Sequence, residues 1–135
     1  MIRSLRLVDF RCFEALSLEI PPDLGVFVGE NAQGKTSLLE AICVLVRLHS
    51  PRTHRLGQII RLGQDSFGVA GECWAEERRA SYGRDGMEMR TDGESVASQG
   101  DYLAGGGLIV WMGNEDLELV RGPGELRRRF REDGA

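Results

Sequence analysis

The sequence predicts an α/β fold in which a strand–loop–helix unit is joined to an antiparallel β-subdomain. Three observations carry this prediction. Two alternating apolar runs open the chain, a glycine-bounded loop links a short apolar run to an amphipathic helix, and a glycine-punctuated alternating stretch follows.

Ile2, Leu5, Leu7 and Phe10 stand among polar neighbours over residues 2–10, the pattern of a half-buried strand. Phe13, Leu16, Leu18 and Ile20 repeat it after Arg11-Cys12, so the two runs are expected to pair antiparallel. Pro21-Pro22-Asp23 forces a turn, because proline lacks the N–H a ladder needs. Gly25-Val26-Phe27-Val28 reads as a buried strand running into the loop 29–34. From Lys35 the period becomes helical, with Leu38, Leu39, Ile42, Leu45, Val46 and Leu48 on one stripe. Ser50-Pro51 is expected to end that helix, since a residue before proline is pushed out of the α region. Residues 50–58 read as a basic loop, and Ile59, Ile60 and Leu62 as a short helical turn.

Phe67–Trp74, Arg79–Tyr82 and Met87–Arg90 read as a β-meander broken at 83–86 and 91–93. Gly105-Gly106-Gly107 links it to a strand candidate, Leu108–Met112, and helical patterns follow at Asp116–Val120 and Glu125–Arg131. Leu126 and Phe130 have nothing after them to pack with, so the sequence is expected to be part of a longer, truncated fold.

Composition narrows the function classes. A chain of 135 residues with 41% hydrophobic residues suits one domain with a real core. The longest apolar run, Ala41–Val46, is far short of the roughly 20 residues a membrane span needs. No signal-peptide pattern opens the chain, and three widely spaced cysteines with no CxxC pair argue against a disulfide framework or zinc site. A soluble, cytoplasmic protein with no membrane partner is expected. The net charge of −4 gives no nucleic-acid footprint by itself. Sixteen of the seventeen basic residues are arginine, and the one lysine is Lys35.

That lysine stands in Gly29-Glu30-Asn31-Ala32-Gln33-Gly34-Lys35-Thr36, which matches G-x-x-x-x-G-K-[ST] at every fixed position. Backbone N–H groups of such a loop form an anion nest, and the following helix adds its positive end. Lys35 would reach the β- and γ-phosphates of ATP, and Thr36 would ligate Mg²⁺. Ser37 completes the candidate nucleotide-binding segment. The motif alone does not separate kinases, GTPases and ABC-type ATPases. The antiparallel pair that precedes it favours an ABC-like head, making the predicted class a P-loop NTPase, an ABC-type ATPase half-head with an antiparallel β-subdomain.

Leu7–Phe13, Gly25–Ile42, Ser50-Pro51-Arg52-Thr53, Ile59-Ile60-Arg61, Glu115–Gly122 and Arg127-Arg128-Arg129-Phe130 together resemble the RecF family, recombination and gap-repair ATPases related to SMC heads. The similarity covers essentially all of 1–135 as the N-terminal part of a RecF-like head, most weakly over 75–105. It implies ATP-driven homodimerisation, binding to DNA at single-strand/double-strand junctions, work with RecO and RecR, and roles in DNA replication, DNA damage repair and the SOS response. Met112-Gly113-Asn114 and Arg131-Glu132 depart from the family pattern. The resemblance also implies that the signature motif and Walker B carboxylates lie beyond residue 135. Whether this chain is an ATPase is therefore open, since the family hydrolyses slowly and a chain without those carboxylates lacks an acid opposite Thr36. A non-catalytic nucleotide- or partner-binding fragment is the alternative. A small P-loop phosphotransferase is disfavoured, because no apolar run ends in a suitable aspartate.

The resemblance places Arg11 and Arg52 near the nucleotide; the plain alternatives are a solvated strand end and an exposed loop. Asn114 aligns loosely with an amide that helps hold Mg²⁺, against a simple turn or helix-cap role. Arg127-Arg128-Arg129 could meet DNA phosphates, but acidic neighbours surround them. Trp111 reads as core, and His49 and His54 carry no assigned chemistry.

Overall fold

A computed structural model of the chain describes residues 1–21, 32–107 and 109. Its framework is one six-stranded, wholly antiparallel sheet in the order β2-β1-β3-β4-β5-β6. The strands are β1 (Ser4–Phe10), β2 (Phe13–Glu19), β3 (Phe67–Cys73), β4 (Glu76–Gly83), β5 (Gly86–Thr91) and β6 (Glu94–Val96). Helix α1 (Ala32–Arg47) packs on one face against β1, β3 and β4, and helix α2 (Gln99–Ala104) against β5 and β6. No helix among the described residues is long and apolar enough to cross a membrane.

The opening pair forms as expected, with Leu7 opposite Leu16 and Phe10 opposite Phe13. The pairing leaves only Arg11 and Cys12 in the turn, and Arg11 takes the left-handed φ of 54° that a two-residue hairpin loop demands. Asp9, at φ 49°, interrupts the alternation, so Phe10 turns inward along with Leu5 and Leu7. The meander also forms, with β4 and β5 longer at both ends than Arg79–Tyr82 and Met87–Arg90, while β3 stops at Cys73, one residue short of the expected Trp74. Its third hairpin, between β5 and β6, turns on Asp92-Gly93, both at positive φ. The core lies between sheet and helices, where Leu5, Leu7, Phe10, Phe67 and Val69 meet Ala41, Val44, Leu45 and Leu48. The opposite face carries ion pairs such as Arg6–Glu77 and Arg90–Glu88.

Four expectations are corrected. Helix α1 begins at Ala32, not Lys35, and ends at Arg47, before Ser50-Pro51. Leu48 adopts a left-handed φ of 60° while keeping its side chain buried, so the turn is made before proline could make it. Leu39 is 46% exposed, because it faces away from Ala41, Val44 and Leu48 around the helix. The short turn is a 3₁₀ turn at Leu56–Ile59; Ile60 bridges to Phe10, and Leu62 is exposed.

Helix α2 was not anticipated. Ser98 caps it, its side chain accepting from the Asp101 N–H at 3.1 Å. Tyr102 fixes it to the core by donating its hydroxyl to the Leu45 carbonyl of α1. Arg78, wholly buried on β4, lies 3.9 Å beneath the Tyr102 ring and donates to the Tyr102 carbonyl. Burial pushes the Tyr102 phenol up to about 12, with Arg78 acting against that shift. The expected strand Gly25–Val28, the helical patterns at 116–120 and 125–131, Trp111 and Arg127-Arg128-Arg129 lie outside the described residues. Of Leu108–Met112 only Ile109 is described, packed against the core.

Candidate nucleotide-binding site

The glycine-bounded motif runs into the start of α1. Gly29, Glu30 and Asn31 lie outside the described residues, as does Asn114. Ala32, Gln33, Gly34, Lys35, Thr36 and Ser37 form the opening turns of the helix. Lys35 and Thr36 are half-buried, and Ser37 is buried. The first N–H groups of a helix have no acceptor within it, and they sit at the positive end of its dipole. The first turn of α1 contains no acidic residue to neutralise that end. The arrangement fits an anion, and a threonine hydroxyl one residue after lysine is a suitable hard-oxygen donor for Mg²⁺.

One turn further along, α1 carries Glu40, whose side chain has no solvent exposure. Two expected site residues, Arg11 and Arg52, converge on it. Arg11 grips the carboxylate with both arms of its fork, Nε to Oε1 at 2.8 Å and Nη2 to Oε2 at 2.9 Å. Arg52 reaches Oε1 with Nη1 at 3.5 Å, and the buried Ser50 hydroxyl donates to Oε2 at 2.5 Å. Ser50 Oγ in turn accepts from the N–H groups of Arg52 at 2.9 Å and Thr53 at 3.3 Å, which orders the loop after the helix. The bond to Glu40 holds the Arg11 guanidinium's pKa above its ordinary value.

Arg11 and Arg52 are thus brought together on α1, and the residue that gathers them, Glu40, was not anticipated. Its only sequence signal is an acid four places after Thr36, on the same side of a helix otherwise rich in apolar residues. Acidic side chains are almost never fully buried without partners, but burial here is decided by segments far away in the chain.

Residues 1–85, which contain the motif and this cluster, match the AAA ATPase domain family. The chain belongs to that family. Within the AAA ATPase domain family it is similar to the DNA replication and repair protein RecF of Acidothermus cellulolyticus, at 36% identity over 138 residues. That match covers 98% of this chain and 37% of the relative, so the chain spans little more than a third of the protein it matches. The structure is similar to that of the recombination mediator protein RecF with ATP, with TM-score 0.75 and 25% identity over 98% of this chain and 38% of the other. It also matches an SMC ATPase from work on ATP-driven dimerization and DNA-stimulated activation, with TM-score 0.76 and 98% of each chain covered. At 20% identity that second likeness shows the fold alone. The resemblance to RecF read from the sequence is borne out, and so is the fold class, an ATPase half-head with an antiparallel sheet.

Proposed function

We propose that residues 1–135 form the N-terminal, ATP-binding part of a RecF-type head that acts in DNA repair and replication. The observation that carries this reading is the complete G-x-x-x-x-G-K-[ST] motif opening into a helix whose first turn is free of acidic residues. The likeness to a RecF structure with ATP supports it. In this reading the backbone of 29–34 and Lys35 hold the phosphates, Thr36 holds Mg²⁺ with Asn114 as a second donor, and Ser37 supports the helix start. Arg11 and Arg52 add positive charge beside them. ATP then joins two heads around a single-strand/double-strand DNA junction, with RecO and RecR as partners in the cytoplasm, and slow hydrolysis by the complete head releases them.

The test is thermal unfolding of the chain with and without Mg·ATP. Ligand that binds only the folded state raises the unfolding temperature, by about 2.7 kcal/mol of stabilisation at a hundredfold excess over Kd. A rise in the wild type that Lys35→Ala lacks supports the reading. An equal rise in both, or none in either, overturns the site.

A further inference from the structure

We propose that Glu40 is a positioning residue, one that sets the placement of Arg11 and Arg52 beside the phosphate-binding helix without itself touching the nucleotide. The inference rests on the nucleotide-binding reading above and assigns a role within that site.

A carboxylate offers about four lone-pair positions. Among the described residues, four donors point at Glu40: two from Arg11, one from Arg52 and the Ser50 hydroxyl. With those positions taken by protein donors and its side chain buried, Glu40 acts in this structure as a shared acceptor. It joins three segments, the turn between β1 and β2, helix α1 and the loop after α1. The turn is held from its other side as well, by Arg11 N–H donating to the Ile59 carbonyl at 2.7 Å. Two guanidiniums share one carboxylate, so one positive charge is left over, and both arginines keep part of their side chains in solvent, 24% for Arg11 and 33% for Arg52. That surplus charge is held in a fixed place on α1, about one helical turn beyond Thr36.

A neutralising role and a positioning role have opposite signs. Glu40→Gln removes a negative charge, so if Glu40 only offsets the arginines, the variant binds Mg·ATP more tightly. If Glu40 places them, the variant binds more weakly despite its more positive site. Calorimetric titration of the chain with Mg·ATP distinguishes these, alongside Arg11→Ala and Arg52→Ala made singly and in the Glu40→Gln background. The expected result is about a tenfold loss for Glu40→Gln, with each arginine substitution then adding less than about twofold, the non-additivity of residues acting as one unit. Tighter binding by Glu40→Gln, or additive losses, overturns the inference.

Ser50→Ala, which removes one donor and leaves every charge in place, serves if Glu40→Gln does not fold. It is expected to weaken Mg·ATP binding about threefold, and to have no effect in an Arg52→Ala background. Unchanged affinity overturns the inference. If the wild-type chain fails to bind Mg·ATP, the nucleotide-binding reading falls and this inference with it. If the wild type binds and Lys35→Ala does not, the reading stands and the Glu40 variants decide the inference alone.

Discussion

Replacing Gly71 with alanine should open the seam between β1 and β3. Gly71 sits in β3 where a Cβ would lie 2.1 Å from the Ser4 carbonyl oxygen, 3.1 Å from its carbon and 3.2 Å from Leu45 Cδ2. The nearest obstacle is backbone, which cannot rotate aside as a side chain could. Ordinary van der Waals contact begins at 3.4 Å, so the two strands must separate locally by about 1.3 Å. Two hydrogen bonds close the same seam, Arg3 N–H to the Glu72 carbonyl at 2.8 Å and Glu72 N–H to Ser4 Oγ at 3.0 Å. Stretching both past useful length costs about 1 kcal/mol each. Crowding Leu45 adds about 1 kcal/mol, at the low end of overpacking costs. The total of about 3 kcal/mol corresponds to a fall of about 10 °C in unfolding temperature for a domain of this size. Urea and thermal unfolding monitored by circular dichroism would measure it. Gly68→Ala in the same strand is the control, because nothing lies within 4 Å of its Cβ position. A Gly71→Ala protein as stable as Gly68→Ala would refute the claim that close backbone approach selects glycine at 71.

Two further predictions concern strain and burial. Trp74 and Ala75 form the β3–β4 turn with φ of 52° and 63°, a conformation that costs side-chain-bearing residues roughly 1–2 kcal/mol each, so Ala75→Gly should stabilise the chain by about 0.5–1 kcal/mol in urea unfolding, and destabilisation would contradict the assignment. Burial pushes the Cys43 and Cys73 thiols up to about 11, with Glu40 adding to the shift at Cys43. The folded state therefore holds those protons more tightly than the unfolded state. The stability these two thiols contribute is fully present below about pH 9 and is lost as the pH rises through about 11, with Cys12, exposed, the one thiol alkylated by iodoacetamide without unfolding. Urea midpoints that stay flat across that range, or rapid alkylation of Cys43 or Cys73 in the folded chain, would contradict it.

What could be read from residues alone was local. The β1–β2 hairpin and the meander follow from alternation and from turn residues such as Asp92-Gly93, and the phosphate motif is contiguous. Features set by distant segments were not legible. That β1 lies beside β3 depends on a crossover of more than fifty residues, and the closeness of that pairing is visible only in the space denied to a side chain at Gly71. Helix α2 has six residues, too few for a periodicity, although Ser98 and Asp101 carry the spacing of a capped start. The end of α1 was misplaced because Leu48 takes a conformation that leucine rarely adopts, held there by its buried side chain. Glu40 looks like any polar helical position until segments 29 residues before it and 10–12 after it supply its partners.

The most direct test of the central claim is isothermal titration of the chain with ATPγS and Mg²⁺, with Lys35→Ala in parallel. The account predicts one site per chain in the wild type and at least a hundredfold loss in the variant, because a lysine on the phosphates is worth about 3 kcal/mol or more in a shielded site. A folded wild-type chain that takes up no nucleotide, or a variant that binds as tightly as the wild type, would contradict it.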